Sequence, residues 1–503
     1  MLPLSLQSIA AAVGGHLKGG DPDQVVRGVS IDSRTVQPGE LYIGLRGERY
    51  DGDQFAAAAL QKGAAAAVVR AETAAHLPTV SRLIVADGLT ALTALAAFVR
   101  ARVGARVVAI TGSVGKTSTK DILAALLRPV ARVVATPGNF NNEIGLPLTL
   151  LGIDNSTEVV VCELAMRGSG QIRALAQIAK PDIGVITNIA PVHLELVGGV
   201  DAVAAAKAEL IDELGTGSIV VPAEEPLLTP YIRRHRGHVV TFGTLSASVH
   251  VVESQPRDGG THALIDALGR RALFDFDFSG GHYLTDALAA LAAFVELGYD
   301  LEEAKVGARH IEFSELRGEV TSLPGGGLLL NDSYNANPGS MVAVLEHLVE
   351  LAAGRPVVAV LGDMYELGPG AAGFHRGVGE QAAAMGVRVL AVGDLARHYL
   401  VGAPGEQWFA SVDECVAALP QVIAAGEAVL VKASRAMALE RVAAALQGDV
   451  AALQGDVAAS QGDAAALPGD ASVPPNDTTV LPNDTTALPD DTTALPDDTA
   501  EDA

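Results

Sequence analysis

Short apolar runs bounded by glycine, proline or polar residues recur along most of this chain, with longer segments of helical spacing between them. Residues 107–110 (Val-Val-Ala-Ile) form one such run, and 158–163 and 183–187 repeat it. A later set falls at 327–331, 356–362, 387–393 and 428–432. A parallel strand covered on both faces reads as a continuous apolar run, so these segments predict buried parallel strands. Helical patterns between them, such as 89–100 and 119–127, complete a strand–helix alternation that predicts a doubly wound α/β fold. Nearer the N-terminus the strands are shorter, at 41–45 and 64–69, around an alanine-rich helix at 55–62.

A chain of 503 residues exceeds what one core holds. The grouping predicts a small α/β domain at 1–83, a central, mostly parallel doubly wound sheet at 84–315 and a Rossmann-like α/β domain at 316–446. From 447 to 503 the pattern stops. There, aspartates recur every seven residues from Asp449 to Asp498, with eleven Asp, one Glu and no Lys or Arg in all. A heptad seam needs two apolar positions and no proline, whereas prolines recur from Pro468 onward, so this acidic repeat predicts disorder.

Composition adjusts this picture in three ways. Aromatics are only 4% of a chain that is 49% hydrophobic, so the cores must be built from Ala, Val and Leu. No apolar run reaches the roughly 18–20 residues of a membrane span, and the N-terminus lacks a basic region followed by an apolar stretch. Cys162 and Cys415, far apart within apolar segments, read as buried free thiols of a reducing compartment, which predicts a cytoplasmic protein. A net charge of −24, half of it in the repeat, argues against nucleic acid as a partner.

The chemistry concentrates after strands. The run ending at Ile110 passes into Thr111-Gly112-Ser113-Val114-Gly115-Lys116-Thr117-Ser118 and then a helix. Glycines let such a loop turn its N–H groups toward phosphate oxygens, and the helix N-terminus adds its dipole. Lys116 would bridge the β- and γ-phosphates and Thr117 would hold Mg²⁺. Ile110 stands where the common phosphate loop has its first glycine, which makes this a shorter variant. The chain carries no Asn-Lys-x-Asp, the guanine-reading motif. The strand 158–163 ends in Glu163, a carboxylate placed to hold the metal.

Two further residues read ambiguously. His193, in Thr-Asn-Ile-Ala-Pro-Val-His-Leu-Glu at the end of a buried strand, is an unusual ligand for a hard cation, and a lone histidine is more often structural. Lys207 on an alanine-rich helix reads as a solvated charge on composition alone. The alternative is an amine that reacts with CO₂ to give a carboxylate-like ligand, which requires a desolvated, neutral lysine.

The order of motifs from 30 to 440 resembles the Mur ligase family. The carrying segments are Asp32-Ser33-Arg34, Arg46-Gly47-Glu48, the loop 111–118, residues 136–147, Glu163 to Arg167, Asn188 to Glu195 and Ala206 to Glu209. They continue with Asn331 to Met341, Leu361 to Gly368 and Val431 to Arg435. Within the family, Tyr-Asn-Ala-Asn-Pro at 334–338 and Gly-Asp-Met-Tyr-Glu-Leu-Gly at 362–368 resemble the members that add D-alanyl-D-alanine to UDP-N-acetylmuramoyl-tripeptide. The resemblance implies a cytoplasmic, monomeric ATP-dependent ligase working through an acyl phosphate. It implies two Mg²⁺ ions, one on Thr117 and Glu163 and one on His193 and N-carboxylated Lys207. The implied catalytic residues are Lys116, Glu163, His193 and Lys207. Gly112 to Ser118 with Arg317 and Asp332 would bind ATP, and Asp32, Ser33, Arg34, Arg46, Asn335 and Asn337 the other substrates. Lys432 and Arg435 would guide carboxylates or the nucleotide. Turn chemistry accounts equally well for 335–339.

The chain departs from the family pattern at Asp53, where histidine is usual, at Tyr283 and Asp286, where asparagines are, and at Ala433, where glycine is. Two other readings stay open on sequence: a different Mur-type or folylpolyglutamate-type ligase, and a non-catalytic nucleotide-binding protein.

Overall fold

The structure, a computed structural model, describes residues 1–47, 49–77, 81–400 and 407–448. Glu48 and nearly all of the acidic repeat therefore lie outside the described residues. The strand Arg106–Thr111 is the spine of a nine-stranded sheet. Its order is Val133–Ala135, Val159–Glu163, Arg106–Thr111, Ile183–Ile186, Ser218–Pro222, Val239–Gly243, Val249–Arg257, Gly260–Ala267 and Arg270–Phe276. The first seven are parallel. Alternate residues of each strand serve opposite faces, as the pleat requires. Val107, Ala109, Val160 and Cys162 join one core with the helices Gly145–Leu151, Gln171–Ala179 and Val200–Glu213. Val108, Ile110, Val159 and Val161 join the other, under Lys116–Leu127 and Gly281–Glu296. Ala287, Ala289, Ala290, Ala292 and Ala293 are all buried on this last helix, an alanine core of the kind the composition predicts.

The last three strands form an antiparallel meander that the buried-run pattern does not predict. Its turns were written in the sequence. Asp258-Gly259 joins the first pair, and Leu268-Gly269, both at positive φ, joins the second as a two-residue hairpin.

A six-stranded sheet follows, ordered Glu319–Ser322, Leu328–Asn331, Ala428–Lys432, Val357–Gly362, Arg388–Val392 and Gln407–Phe409, antiparallel only at its first pair. Near the N-terminus a five-stranded sheet runs His16–Lys18, Arg82–Val85, Ala66–Arg70, Leu41–Ile43 and Val29–Ser30. Its core is continuous with that of the nine-stranded sheet, because Leu92, Leu95 and Val99 of the helix Gly88–Arg100 pack with both. Cys162 and Cys415 are free and buried, and no helix among the described residues is long and apolar enough to cross a membrane.

Asp53 explains its own departure from the family pattern. It is 2% exposed and accepts hydrogen bonds from Arg70 N (3.1 Å), Arg70 Nε (2.9 Å) and Thr73 Oγ1 (3.2 Å), while Arg70 also pairs with Asp51. Arg70→Ala would leave Asp53 a buried carboxylate without its cation, a loss of about 3 kcal/mol. Hydrogen exchange should show the strand Ala66–Arg70 opening more easily by about that amount; unchanged protection there would contradict this account.

Candidate active site

The chain leaves Arg106–Thr111 toward one side of the sheet and reaches Ile183–Ile186 on the other, so the crevice beyond these strand ends is where an open α/β sheet binds its ligand. The loop 111–118 occupies it. Gly112 (φ 151°) and Gly115 (φ 80°) carry the turn. A Cβ on Gly112 would stand 1.8 Å from Thr187 Oγ1, and one on Gly115 2.2 Å from Asp286 Oδ1, so no side chain fits at either position. The loop is braced by the next strand's end. Ser113 N donates to Asn188 O (3.1 Å), Val114 N to Asn188 Oδ1 (2.9 Å) and Ser113 Oγ to Ala190 O (3.0 Å). Two loop N–H groups are therefore spent on Asn188, a role that sequence reasoning missed. The N–H groups that open the helix Lys116–Leu127 have no acceptor within the helix, the arrangement that lets a helix N-terminus take an anion.

Lys116 Nζ donates to Gly112 O (2.8 Å) and Ser113 O (3.3 Å). Burial draws its pKa down, Glu163 opposes that, and Arg317 adds to it. Lys207, on Val200–Glu213, is 2% exposed and donates to the same Gly112 carbonyl at 2.8 Å. Burial first, and the Lys116 charge second, push its pKa well below the ordinary lysine value. The solvated-charge reading of Lys207 is thereby excluded.

Thr117 Oγ1 donates to Glu163 Oε2 (2.8 Å), Asn141 Nδ2 to Glu163 Oε1 (2.7 Å), and Glu163 N to Thr136 Oγ1 (3.0 Å). A hydroxyl and a carboxylate side by side at a helix N-terminus are the hard oxygen donors that Mg²⁺ takes, so this pair fits the ion. His193 lies apart from them: its Nδ1–H donates to Glu366 Oε2, on the six-stranded sheet's side. Among the described residues there is no cluster of three or more His, Cys, Asp or Glu that could hold a metal.

From the six-stranded sheet, the Arg317 guanidinium lies 4.1 Å over the Tyr334 ring. Tyr334 is raised above the ordinary tyrosine pKa, by burial above all, and its surroundings include Glu163 and Asn139 of the nine-stranded sheet. Asp332 pairs with buried Lys432, which also donates to Asn335 O (2.7 Å). Asn337 caps the helix Pro338–Ala352, accepting from Ser340 N at 3.0 Å, and Asn335 Oδ1 accepts from Ala336 N at 2.8 Å. Both amide oxygens thus also do turn work. Asp32 holds Arg34 (Nη2–Oδ2 2.8 Å), which draws its carboxyl below the ordinary range, and Arg46, itself exposed, pairs with Asp51 only through an isolated antiparallel backbone bridge.

Tyr283 and Asp286, which stand where the family pattern has asparagines, are buried. Tyr283 stacks on Phe313 (4.4 Å, 24°) and its hydroxyl fills the space that a Cβ on Gly318 would need. His282 and His347, 5.4 Å apart, are both drawn down to about 4 by burial. Asp286 lies against Gly115, and burial lifts its pKa well above the carboxylate range, with the Ser118 hydroxyl and Arg317 opposing only in part.

A phosphate loop backed by a metal-ready hydroxyl–carboxylate pair, with a second α/β sheet supplying Arg317 and Tyr334 across it, defines a nucleoside-triphosphate-using enzyme of the α/β class. Three Mur ligase family descriptions match in series. "Mur ligase family, catalytic domain" matches residues 25–103, "Mur ligase middle domain" 110–294 and "Mur ligase, glutamate ligase domain" 316–435. The UDP-N-acetylmuramoyl-tripeptide–D-alanyl-D-alanine ligase of Bacillus subtilis is 35% identical over 382 residues, covering 75% of this chain and 82% of its own. Among solved structures, MurF from Acinetobacter baumannii superimposes with a TM-score of 0.80 at 29% identity, covering 89% of this chain and 99% of its own. MurF ligase from Thermotoga maritima in complex with ADP does so with a TM-score of 0.72 at 27% identity, covering 85% and 99%. The chain belongs to the Mur ligase family.

Asp286 generates a pH prediction. A carboxyl whose folded pKa is raised favours the folded state at low pH and loses that advantage as pH climbs from the unfolded carboxylate pKa toward the folded value. Asp286→Asn removes the titration. Thermal melts should therefore show the variant gaining on the parent as pH rises from about 4 toward neutrality; a pH-independent difference between the two would count against a protonated Asp286.

Proposed function

We propose that this chain joins D-alanyl-D-alanine to UDP-N-acetylmuramoyl-tripeptide at the expense of ATP, making the pentapeptide precursor of peptidoglycan, and that it works as a cytoplasmic monomer. The observation that carries the reading is the convergence of Lys116 and Lys207 on one loop carbonyl beside the Thr117–Glu163 pair. The choice of amine rests on the relatives that bear this activity in their names.

Forming an amide in water requires the carboxylate to become a better electrophile. The tripeptide's terminal carboxylate oxygen attacks the γ-phosphorus of ATP, the bond from γ-phosphorus to the bridging oxygen breaks, and ADP leaves an acyl phosphate behind. The dipeptide amine then attacks the acyl carbon, loses its proton, and inorganic phosphate departs. Lys116 and the first-turn N–H groups hold the transferring phosphoryl group, and stabilise it by position and charge rather than by covalent chemistry. Members of this family use ATP and Mg²⁺, and Mg²⁺ neutralises charge between the two approaching anions. Thr117 and Glu163 would hold one ion; His193 and N-carboxylated Lys207 would hold the other. Lys207 has what carboxylation favours, a desolvated amine whose pKa burial draws well below the ordinary lysine value. Arg317 and Asp332 would meet the nucleotide from the six-stranded sheet, whose seating keeps water from the acyl phosphate. The segment 1–83, with Asp32, Ser33, Arg34 and Arg46, would hold the UDP end, 84–315 the ATP, and 316–446, with Asn335 and Asn337, the incoming dipeptide.

Incubation with ATP, UDP-N-acetylmuramoyl-tripeptide and single amines tests the assignment: ADP should be released with D-alanyl-D-alanine. Release with a different amine and none with this one would sink it. Lys207→Ala should lose activity by roughly two to four orders of magnitude, the scale on which well-placed catalytic groups act, and short carboxylic acids should restore part of it. Full activity without added acid would remove Lys207 from the site.

A further inference from the structure

We propose that Glu366 is a positioning residue for His193, so that an ion site built on the nine-stranded sheet is complete only with the 362–368 turn of the six-stranded sheet seated against it. The inference rests on the reading of His193 as an ion ligand.

Glu366 lies within Gly-Asp-Met-Tyr-Glu-Leu-Gly, a segment to which the reaction above gives no task. Its carboxylate accepts from His193 Nδ1–H. Its other oxygen lies 3.7 Å from Arg167 Nε, and its carbonyl accepts from Glu195 N at 3.4 Å. One residue thereby ties together the loops after Val159–Glu163 and after Ile183–Ile186, the two strands that flank Arg106–Thr111. Gly368 closes the turn against Glu195, where even a Cβ would come to 3.4 Å of Glu195 Cα.

Both partners hold uncommon backbone conformations, His193 at φ 52° and Glu366 at φ 62°. Side-chain-bearing residues persist there when their surroundings over-determine them, and such positions cluster at functional sites. Stability is a poor reason for this pair: His193 and Glu366 are 26% and 34% exposed, and half-exposed ion pairs contribute little. Orientation is a better one. In a neutral imidazole one nitrogen donates and the other accepts, so donation from Nδ1 leaves the Nε2 lone pair outward. Nε2 makes no hydrogen bond to the described residues. A metal-ligating histidine usually gives its other N–H to a carboxylate in this manner, which fixes tautomer and ring plane.

Mn²⁺ binding to the full chain with ADP present, followed by electron paramagnetic resonance, tests this without turnover, so its failure is distinct from failure of the amine assay. His193→Ala identifies the phase that depends on the histidine. In Glu366→Ala that phase should weaken by about 10-fold or more, with the other phase unchanged. Glu366→Gln, nearly isosteric and still able to accept from Nδ1–H, should stay within about threefold of the parent, below the scale at which loss of such a partner is felt. Unchanged binding in His193→Ala or in Glu366→Ala overturns the proposal. Equal weakening in both Glu366 variants also overturns it, in favour of a plain charge effect. Nitrogen-15 shifts of His193 in the parent chain at mildly alkaline pH offer a check that no variant's folding can confuse: the Nδ1–H tautomer is expected, and the Nε2–H tautomer would refute the assignment.

Discussion

The Gly112 carbonyl is the constraint on which the rest of the site depends. Two lysine amines donate to it, each at 2.8 Å, so their nitrogens stand no farther apart than twice that distance. Two full charges at that separation would repel by about 3 kcal/mol even in a moderately polar surrounding. With Lys207 almost wholly buried, desolvation adds to this and disfavours the charged amine. Lys116 keeps Glu163 as a counter-charge and Lys207 does not, so the downward push on the pKa is the stronger at Lys207. A single backbone oxygen thus gathers two residues of one type into unequal surroundings, Lys116 with a carboxylate nearby and Lys207 without one. The oxygen is available only because Gly112 adopts φ 151° where a Cβ would strike Thr187.

That carbonyl is held still by elements distant in sequence. Asn188 takes the N–H groups of Ser113 and Val114, and Thr187 Oγ1 donates to Val114 O at 2.5 Å, so the strand Ile183–Ile186 sets the shape of a loop that follows another strand. Parallel pairing of the two strands brings their ends level, with Ile186 opposite Thr111. The neighbouring strand places Glu163 opposite Ile110, which is why its carboxylate reaches Thr117 one turn beyond. Strand register, fixed by burial on both faces, is thereby converted into the positions of the loop, the Glu163 carboxylate and the histidine segment.

This logic explains what could be read before the structure. Parallel strands buried on both faces announce themselves as apolar runs, so the middle strands of both large sheets were legible, and so was the loop between Ile110 and the helix, while short or edge strands such as Val133–Ala135 and Gln407–Phe409 were not. Glu163 was legible because it ends such a run. The meander from 249 to 276 was not, because half-buried strands alternate and only its Asp-Gly and Leu-Gly turns marked it. Pairings across sheets were invisible for a different reason. His193 with Glu366, Arg317 with Tyr334 and Asn188 with the loop join residues whose separation along the chain carries no periodic signal. Lys207 is the instructive intermediate, since an alanine-rich helix is soluble or buried according to what packs on it, and composition is silent about that.

The departures from the family pattern follow a physical rule: each sits where a neighbour absorbs the change. Asp53 draws on Arg70 and Thr73. The Ala433 methyl fits because position 362 opposite is glycine, where a Cβ would come within 2.6 Å of it. Tyr283 gains Phe313 to stack on and the open space beside Gly318 for its hydroxyl. Asp286 is the costly one, because it replaces an amide that can donate with a carboxyl whose charged form burial disfavours. Protonation restores a donor, which makes the buried acid a closer mimic of asparagine than its formal charge suggests. The substitution then alters the hydrogen-bonding surface around Gly115 while adding no charge beside Lys116. It leaves Lys116, Thr117, Glu163 and Lys207 unchanged.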